Sequence, residues 1–226
     1  MTRLTDIKAV LFDRDDTLSF TDQGVYGQAA RWLRETYGLD PREAARHLQA
    51  QWEGVEGKWQ HLRTLEDEAA FWQAYGAQLA GRLGLTAADG ADITRAWPYE
   101  RFLMPAPGAR ELLTELRTRG LKIGVLSNTL PNVGITLEAV GLADLVDVAI
   151  STCVLGVHKP EPEAFARAAE LLGVAPGEVL FVDDKLENVE AARGVGMRAL
   201  LIDHAGALPE AIHHLTGVLE HLGVLP

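Results

Sequence analysis

Three acids within four residues, Asp13, Asp15 and Asp16, close the apolar run of residues 7–12. Carboxylates this close repel one another. A pair at ~4 Å costs about 4 kcal/mol at an effective dielectric near 20. A divalent cation or a retained proton offsets such a cost. Taken alone, Asp13-x-Asp15 fits an acidic loop after a strand equally well. The pattern recurs downstream, where Val179-Leu180-Phe181-Val182 runs into Asp183-Asp184. An unpaired carboxylate at a buried strand end is expensive, so two in succession invite a cation. Oxygen ligands with open positions suit Mg2+, which keeps several waters and takes one or two carboxylates plus a phosphate. Two weaker signals lie between the acidic ends. Ser127-Asn128 closes residues 121–126. A hydroxyl and an amide there can hydrogen-bond an anion, or cap a following helix. Lys159 precedes Pro160 in a loop. A lysine held there can put positive charge at a phosphate site, or simply sit in solvent.

The elements that must position these residues follow from periodicity. Five short apolar runs read as strands: residues 7–12, 121–126, 146–150, 179–182 and 198–202. Helical patterns separate the later ones. Pro107-Gly108 opens residues 109–119, Pro162 opens 163–172, and Asn188 opens 189–193, with glycine after each. Proline near the start and glycine past the end is the normal asymmetry of helices. Strands alternating with helices predict an α/β fold with a doubly wound parallel sheet, in which ligands bind at the carboxyl ends of the strands.

Residues 20–97 break that rhythm. Helices are predicted over 25–37, 42–52, 67–83 and 87–97, with Asp40 capping the second and Glu43 reaching back to complete a capping box. All five tryptophans lie in this interval, and Trp32 and Trp72 are expected in a small helical core. The expected organisation is therefore an α/β core of residues 1–19 and 100–226 with an α-helical insert at 20–99. At the C-terminus, Leu208, Ile212, Leu215, Leu219 and Leu222 predict a helix packed on the sheet. His204, His213, His214 and His221 are expected at the solvent-exposed surface rather than around a metal, since neighbouring helical residues face different sides.

Composition narrows the function classes. The chain has 226 residues, 47% hydrophobic and 23% charged, as in ordinary globular proteins. No apolar stretch reaches the ~18 residues of a membrane span. The first residues lack an apolar signal core, so a cytoplasmic protein without membrane partners is expected. The single cysteine, Cys153, cannot form an internal disulfide and reads as a buried small hydrophobe. A net charge of −11 argues against nucleic acid as a partner. It leaves room for a small anionic substrate at a locally positive site.

The ordered set strand-Asp13-x-Asp15-x-Thr17, strand-Ser127-Asn128, Lys159-Pro160 and strand-Asp183-Asp184 resembles the haloacid dehalogenase-like hydrolase superfamily. The resemblance spans nearly the whole chain. It implies a Rossmann-like core with a helical cap inserted after the first motif. It further implies Asp13 as nucleophile, forming an aspartyl-phosphate, and Asp15 as general acid/base. Ser127 and Asn128 would contact the phosphoryl group, and Lys159 would neutralise it and restrain Asp13. Mg2+ would be held by the Asp13 carboxylate, the Asp15 backbone carbonyl and Asp184, with Asp183 acting through a bound water or on the ligands. Asp16 stands where the family usually has glycine, and an aspartate tolerates positive φ better than most residues. Val189 replaces a later family aspartate. The implied function is a Mg2+-dependent phosphatase acting on a small phosphorylated metabolite, as monomer or homodimer. A 2-haloacid dehalogenase, a sugar phosphomutase and a non-catalytic phosphate-binding module are the alternatives. Tyr26, Trp52, Trp59 and Arg63 of the insert are candidates for contacting the substrate.

Overall fold

A computed structural model describes residues 6–55 and 57–223. The elements run β1 (Ala9–Phe12), β2 (Ser19–Thr21), α1 (Gln23–Tyr37), α2 (Pro41–Glu53), α3 (Leu65–Arg82), α4 (Ala87–Ala96), β3 (Leu103–Pro105), α5 (Ala109–Thr118) and β4 (Lys122–Ser127). Then come α6 (Val133–Ala139), β5 (Val148–Ser151), α7 (Thr152–Leu155), α8 (Pro162–Leu172), β6 (Val179–Asp183), α9 (Leu186–Gly194), β7 (Arg198–Leu201) and α10 (Gly217–His221). Five strands form one parallel sheet in the order β5-β4-β1-β6-β7. This is the α/β architecture expected from the alternating runs.

The apolar runs are strands because both faces of the sheet are covered. Val10 and Phe12 of β1 pack with α5, α6 and α10 through Leu112, Leu116, Leu137 and Val218. Ala9 and Leu11 face the other way, against Phe165, Leu172 and Val189 of α8 and α9. Gly124 lets α8 approach, since a Cβ there would lie 2.8 Å from Leu11 and 3.0 Å from Leu172. β1 sits centrally. Its outgoing connection leads to β4 on one side, and that of β6 leads to β7 on the other. The crevice between the carboxyl ends of β1 and β6 is therefore the switch point of the fold.

Helices α1–α4 fill the interval after β1, and their caps are local. Asp22 accepts from Gly24, and Thr64 and Thr86 form capping boxes with Asp67 and Asp89. Asp40 accepts from the Arg42 and Glu43 amides, but Glu43 turns to Arg46 instead of closing the expected box. A hairpin of β2 and β3, too short to show in the sequence, fastens both ends of the insert, pairing Ser19 with Pro105 and Thr21 with Leu103. The insert holds two apolar clusters where one was expected. Trp32 joins Leu33, Leu48, Leu79 and Ile93. Trp72 joins Trp52, Trp59 and Tyr99 over Leu130, which belongs to the loop after β4. That second cluster couples the insert to the core.

The C-terminal stripe does not form one helix. Asp203 accepts amide hydrogen bonds from Ala205, Ala207 and Leu208, and Ile212 bridges to Ile202 in extended conformation. Only Gly217–His221 is helical. Pro209 directly follows Leu208, the first residue of the stripe, and has no amide to continue a helix there. His204 is half-buried rather than solvent-exposed, with its ring against Phe20 and Nε2 beside the Thr17 carbonyl.

Candidate active site

Parallel register builds the site. Phe12 pairs with Val182, so the next residues, Asp13 and Asp183, stand side by side where β1 and β6 end. The Asp13 amide also donates to the Val182 carbonyl at 2.8 Å. On the other flank, β4 delivers Ser127 to the same edge.

Lys159 enters from the loop before α8 and is 5% exposed. Its ammonium lies 2.5 Å from Asp13 Oδ1 and 2.7 Å from Asp183 Oδ2. Asn128 holds that loop in place. Its Nδ2 donates to the Lys159 carbonyl at 2.8 Å, and its Oδ1 accepts from the Lys159 amide at 3.0 Å. Both ends of the amide thus orient the lysine, leaving one N–H for any ligand. Burial works against the Lys159 charge, but Asp13 and Asp183 outweigh it and raise its pKa. The ammonium stays charged.

The acids differ in their surroundings. Asp183 is fully buried and fully engaged. Oδ1 accepts from the Lys185 amide and Asn188 Nδ2, and Oδ2 from Lys159 and Asn188 Nδ2. Asp184 is the opposite: its Oδ1 is buried without any partner. Burial and the neighbouring Asp183 charge push Asp184 up to about 6. Asp13 is pushed up to about 7 by burial, with Asp183 and Asp15 adding repulsion that Lys159 only partly offsets. Carboxylate oxygens of Asp13, Asp183 and Asp184 all lie within 4.8 Å of one another. A buried orphan oxygen beside two further acids is what a hard cation relieves, so the donor set fits Mg2+.

Asp15 lies at the same mouth, on a cavity of about 60 Å³ shared with Asp13, Asn128, Lys159 and Asp184. Ser127 Oγ donates to its Oδ2 at 3.4 Å. The site residues named from the sequence, Asp13, Asp15, Ser127, Asn128, Lys159, Asp183 and Asp184, thus meet at one sheet edge. Asp16, at φ 55°, takes the left-handed conformation its position requires and borders the same cavity.

Sequence reading missed Arg14. It is 1% exposed and clamps Asp15 with both Nε and Nη2, at 2.8–3.1 Å. Its remaining contacts are Tyr99 Oη at 2.9 Å, Thr129 Oγ1 at 3.0 Å and Thr136 Oγ1 at 2.8 Å. Burial opposes the guanidinium charge, but Asp15 and Tyr99 more than compensate and raise its pKa. The positive charge at the site is therefore larger than the single lysine expected. The signal available was a basic residue directly after a buried strand.

Comparison with known proteins agrees with this arrangement. The haloacid dehalogenase-like hydrolase family matches residues 7–196. A phosphatase of Mycobacterium tuberculosis, Phosphatase MT3486, is 36% identical over 91% of this chain and 92% of its own. The (S)-2-haloacid dehalogenase of Xanthobacter autotrophicus is 34% identical over 84% of this chain and 72% of its own. Among solved structures, a HAD phosphatase from Thermococcus onnurineus superposes with a TM-score of 0.67 at 27% identity, covering 96% of this chain and 98% of the other. The strand-end acids, the buried lysine and these similarities together make the chain a member of the haloacid dehalogenase-like hydrolase family, and hence an enzyme.

Proposed function

We propose that the protein is a Mg2+-dependent phosphatase that hydrolyses a small phosphorylated metabolite through an aspartyl-phosphate. One observation carries the reading: Lys159 bridges Asp13 and Asp183 at 2.5 and 2.7 Å beside the unpartnered oxygen of Asp184. Asp13 and Asp184, with the Asp15 backbone carbonyl, would hold Mg2+. The four hydrogen bonds already on Asp183 suit it to orienting Lys159 rather than to ligating. A bound Mg2+ supplies charge neutralisation for the phosphoryl oxygens.

The chain's own residues do the rest. A carboxylate oxygen of Asp13 attacks phosphorus as the bond to the ester oxygen breaks. Asp15 gives its proton to that oxygen, then takes one from the water that attacks the aspartyl-phosphate and frees Asp13. Ser127 and the free N–H of Asn128 would bind phosphoryl oxygens. Lys159 keeps Asp13 aligned and balances the incoming dianion. Arg14 fixes Asp15 at the mouth.

The related dehalogenase raises a second reading, hydrolysis of a 2-haloacid. That chemistry uses the same nucleophile and has no need of a metal or a second acid. Asp15 and the Asp183-Asp184 pair count against it. A phosphomutase differs only in steps that keep the phosphate on the substrate. The experiment is a screen of phosphorylated metabolites with Mg2+. Phosphate release is expected, lost in excess chelator and reduced about 10³-fold or more in Asp13→Asn. Halide release from 2-haloacids without phosphate release, or sugar-phosphate interconversion in its place, would refute the phosphatase.

A further inference from the structure

The end of β5 and the start of α7 supply none of the acids or their lysine, yet they grip the loop that carries Ser127 and Asn128. Ser151 Oγ donates to the Thr129 carbonyl at 2.8 Å, and Thr152 Oγ1 donates to Asn128 Oδ1 at 2.8 Å. Both residues are buried, Thr152 completely. A third contact extends the second: His158 Nδ1 lies 3.1 Å from the same Thr152 oxygen. His158 directly precedes Lys159, whose backbone Asn128 holds with both ends of its amide. Asn128, Lys159, His158 and Thr152 therefore close a ring.

Valence fixes the direction of the bonds in that ring. The Lys159 amide can only donate, so the Asn128 atom facing it is the carbonyl oxygen. That oxygen can only accept. Thr152 Oγ1 must give it its one proton, and is left to accept from the imidazole. His158 Nδ1 thus carries a hydrogen, and the neutral ring is the Nδ1–H tautomer with its lone pair on Nε2. Two donors already occupy Asn128 Oδ1, so the amide turns N–H rather than oxygen toward the acidic cavity, which Asn128 lines with Asp13 and Lys159. A phosphoryl oxygen finds a donor there. A valine at 152 would keep the shape of threonine and remove both of its bonds, leaving Asn128 less restrained in which end it presents.

We infer that Thr152 and His158 are positioning residues. They set the orientation of Asn128, and with it the N–H that meets the phosphoryl group and the backbone that carries Lys159. The inference rests on the phosphatase reading for its effect on turnover, and on hydrogen-bond valence alone for the ring.

The test has two arms. 15N NMR of the imidazoles, with His158 assigned by its absence from His158→Gln, reads the ring without any substrate. The Nδ1–H tautomer is expected for neutral His158 and should be lost in Thr152→Val. Nε2–H in the parent protein, or Nδ1–H retained in Thr152→Val, overturns the inference. The second arm is a double-mutant cycle on kcat/KM for 4-nitrophenyl phosphate with Mg2+. Thr152→Val is expected to lose at least tenfold and Thr152→Ser less than threefold. In the Asn128→Ala background, Thr152→Val should lose no more than a further twofold. A threonine that only supports the fold would weaken the Asn128→Ala enzyme as much as the parent, and such additivity overturns the inference. Thr152→Ala takes the place of a valine variant that does not fold. Should the parent leave the ester unhydrolysed while His158 shows Nδ1–H, the ring stands and the phosphatase reading falls.

Discussion

Around Lys159 two carboxylates take the ammonium, with a single ring, Phe181, 5.5 Å away; around Tyr99, 2.9 Å from the other buried cation, the rings of Trp52 and Trp72 stack. The first region lies at the edge of a sheet whose strands are locked by register and packed on both faces. The second lies on an insert whose contacts with the core include a hairpin, one aromatic cluster, the Arg14–Tyr99 bond and the bond from the Asn132 amide to Glu68. Polar chemistry needs oxygens fixed to within a fraction of an ångström, which a buried parallel sheet supplies. Selection of an organic group needs volume and shape, which a separate helical layer can supply without disturbing the acids.

Removing the cation that organises the polar region should have the largest effect. Lys159→Met leaves Asp13 and Asp183 buried without their countercharge. Stripping one partner from a buried ion pair costs about 3–5 kcal/mol. Denaturant unfolding should show that loss, and phosphate release should vanish with it. A stable Lys159→Met protein with normal turnover would show that the polar region does not depend on its lysine.

The insert should break differently. Helices α3 and α4 meet where Gly76 and Gly90 face each other, and a Cβ on Gly90 would collide with the Gly76 carbonyl. Gly90→Ala should cost about 1–3 kcal/mol by overpacking. If the comparison holds, the loss appears as earlier hydrogen exchange in residues 23–96, with the sheet amides unchanged. Uniform loss of protection would mean that insert and sheet unfold as one unit.

The smallest effect tests the cation. Burial and Asp183 raise Asp184 from 3.8 to about 6. Between those values the folded state binds more protons than the unfolded one, so this group's contribution to stability falls as pH rises through that window. A cation that replaces the proton recovers it. At ten times its dissociation constant, Mg2+ adds about 1.4 kcal/mol to stability. The Mg2+-induced rise in Tm should therefore grow from pH 5 to pH 7.5. Asp184→Asn should abolish most of that rise, and should stand above the parent in Tm at pH 7.5 without metal. A Mg2+ shift independent of pH, or intact in Asp184→Asn, would place the ion elsewhere.

How far each region was legible in the sequence follows the same division. The strands of the sheet read clearly because burial on both faces removes polar alternation, and Val10-Leu11-Phe12 and Val179 to Val182 have no other use. Of the insert's helices, α2 read from its cap, since Asp40 accepts from amides within one turn, whereas the Thr64–Asp67 and Thr86–Asp89 boxes were found only in the structure. The hairpin did not read: three residues at 19–21 find partners at 103–105, with the whole insert between them. The C-terminal leucines misled because apolar spacing alone cannot register Pro209, or the grip of Asp203 on three following amides.

The order of residue types along the chain by itself determined the acidic strand ends, the lysine loop and the presence of a helical insert, because each is set by neighbours a few positions away. Only the tertiary structure decided that Asp183 is saturated while Asp184 keeps a bare oxygen. It alone gave Arg14 its partners, since Tyr99, Thr129 and Thr136 lie 85 to 122 positions away. It likewise gave Trp52, Trp72 and Tyr99 a common orientation. Hydrogen-bond valence and cavity shape are properties of groups brought together from distant parts of the chain, and spacing along a sequence carries no record of them.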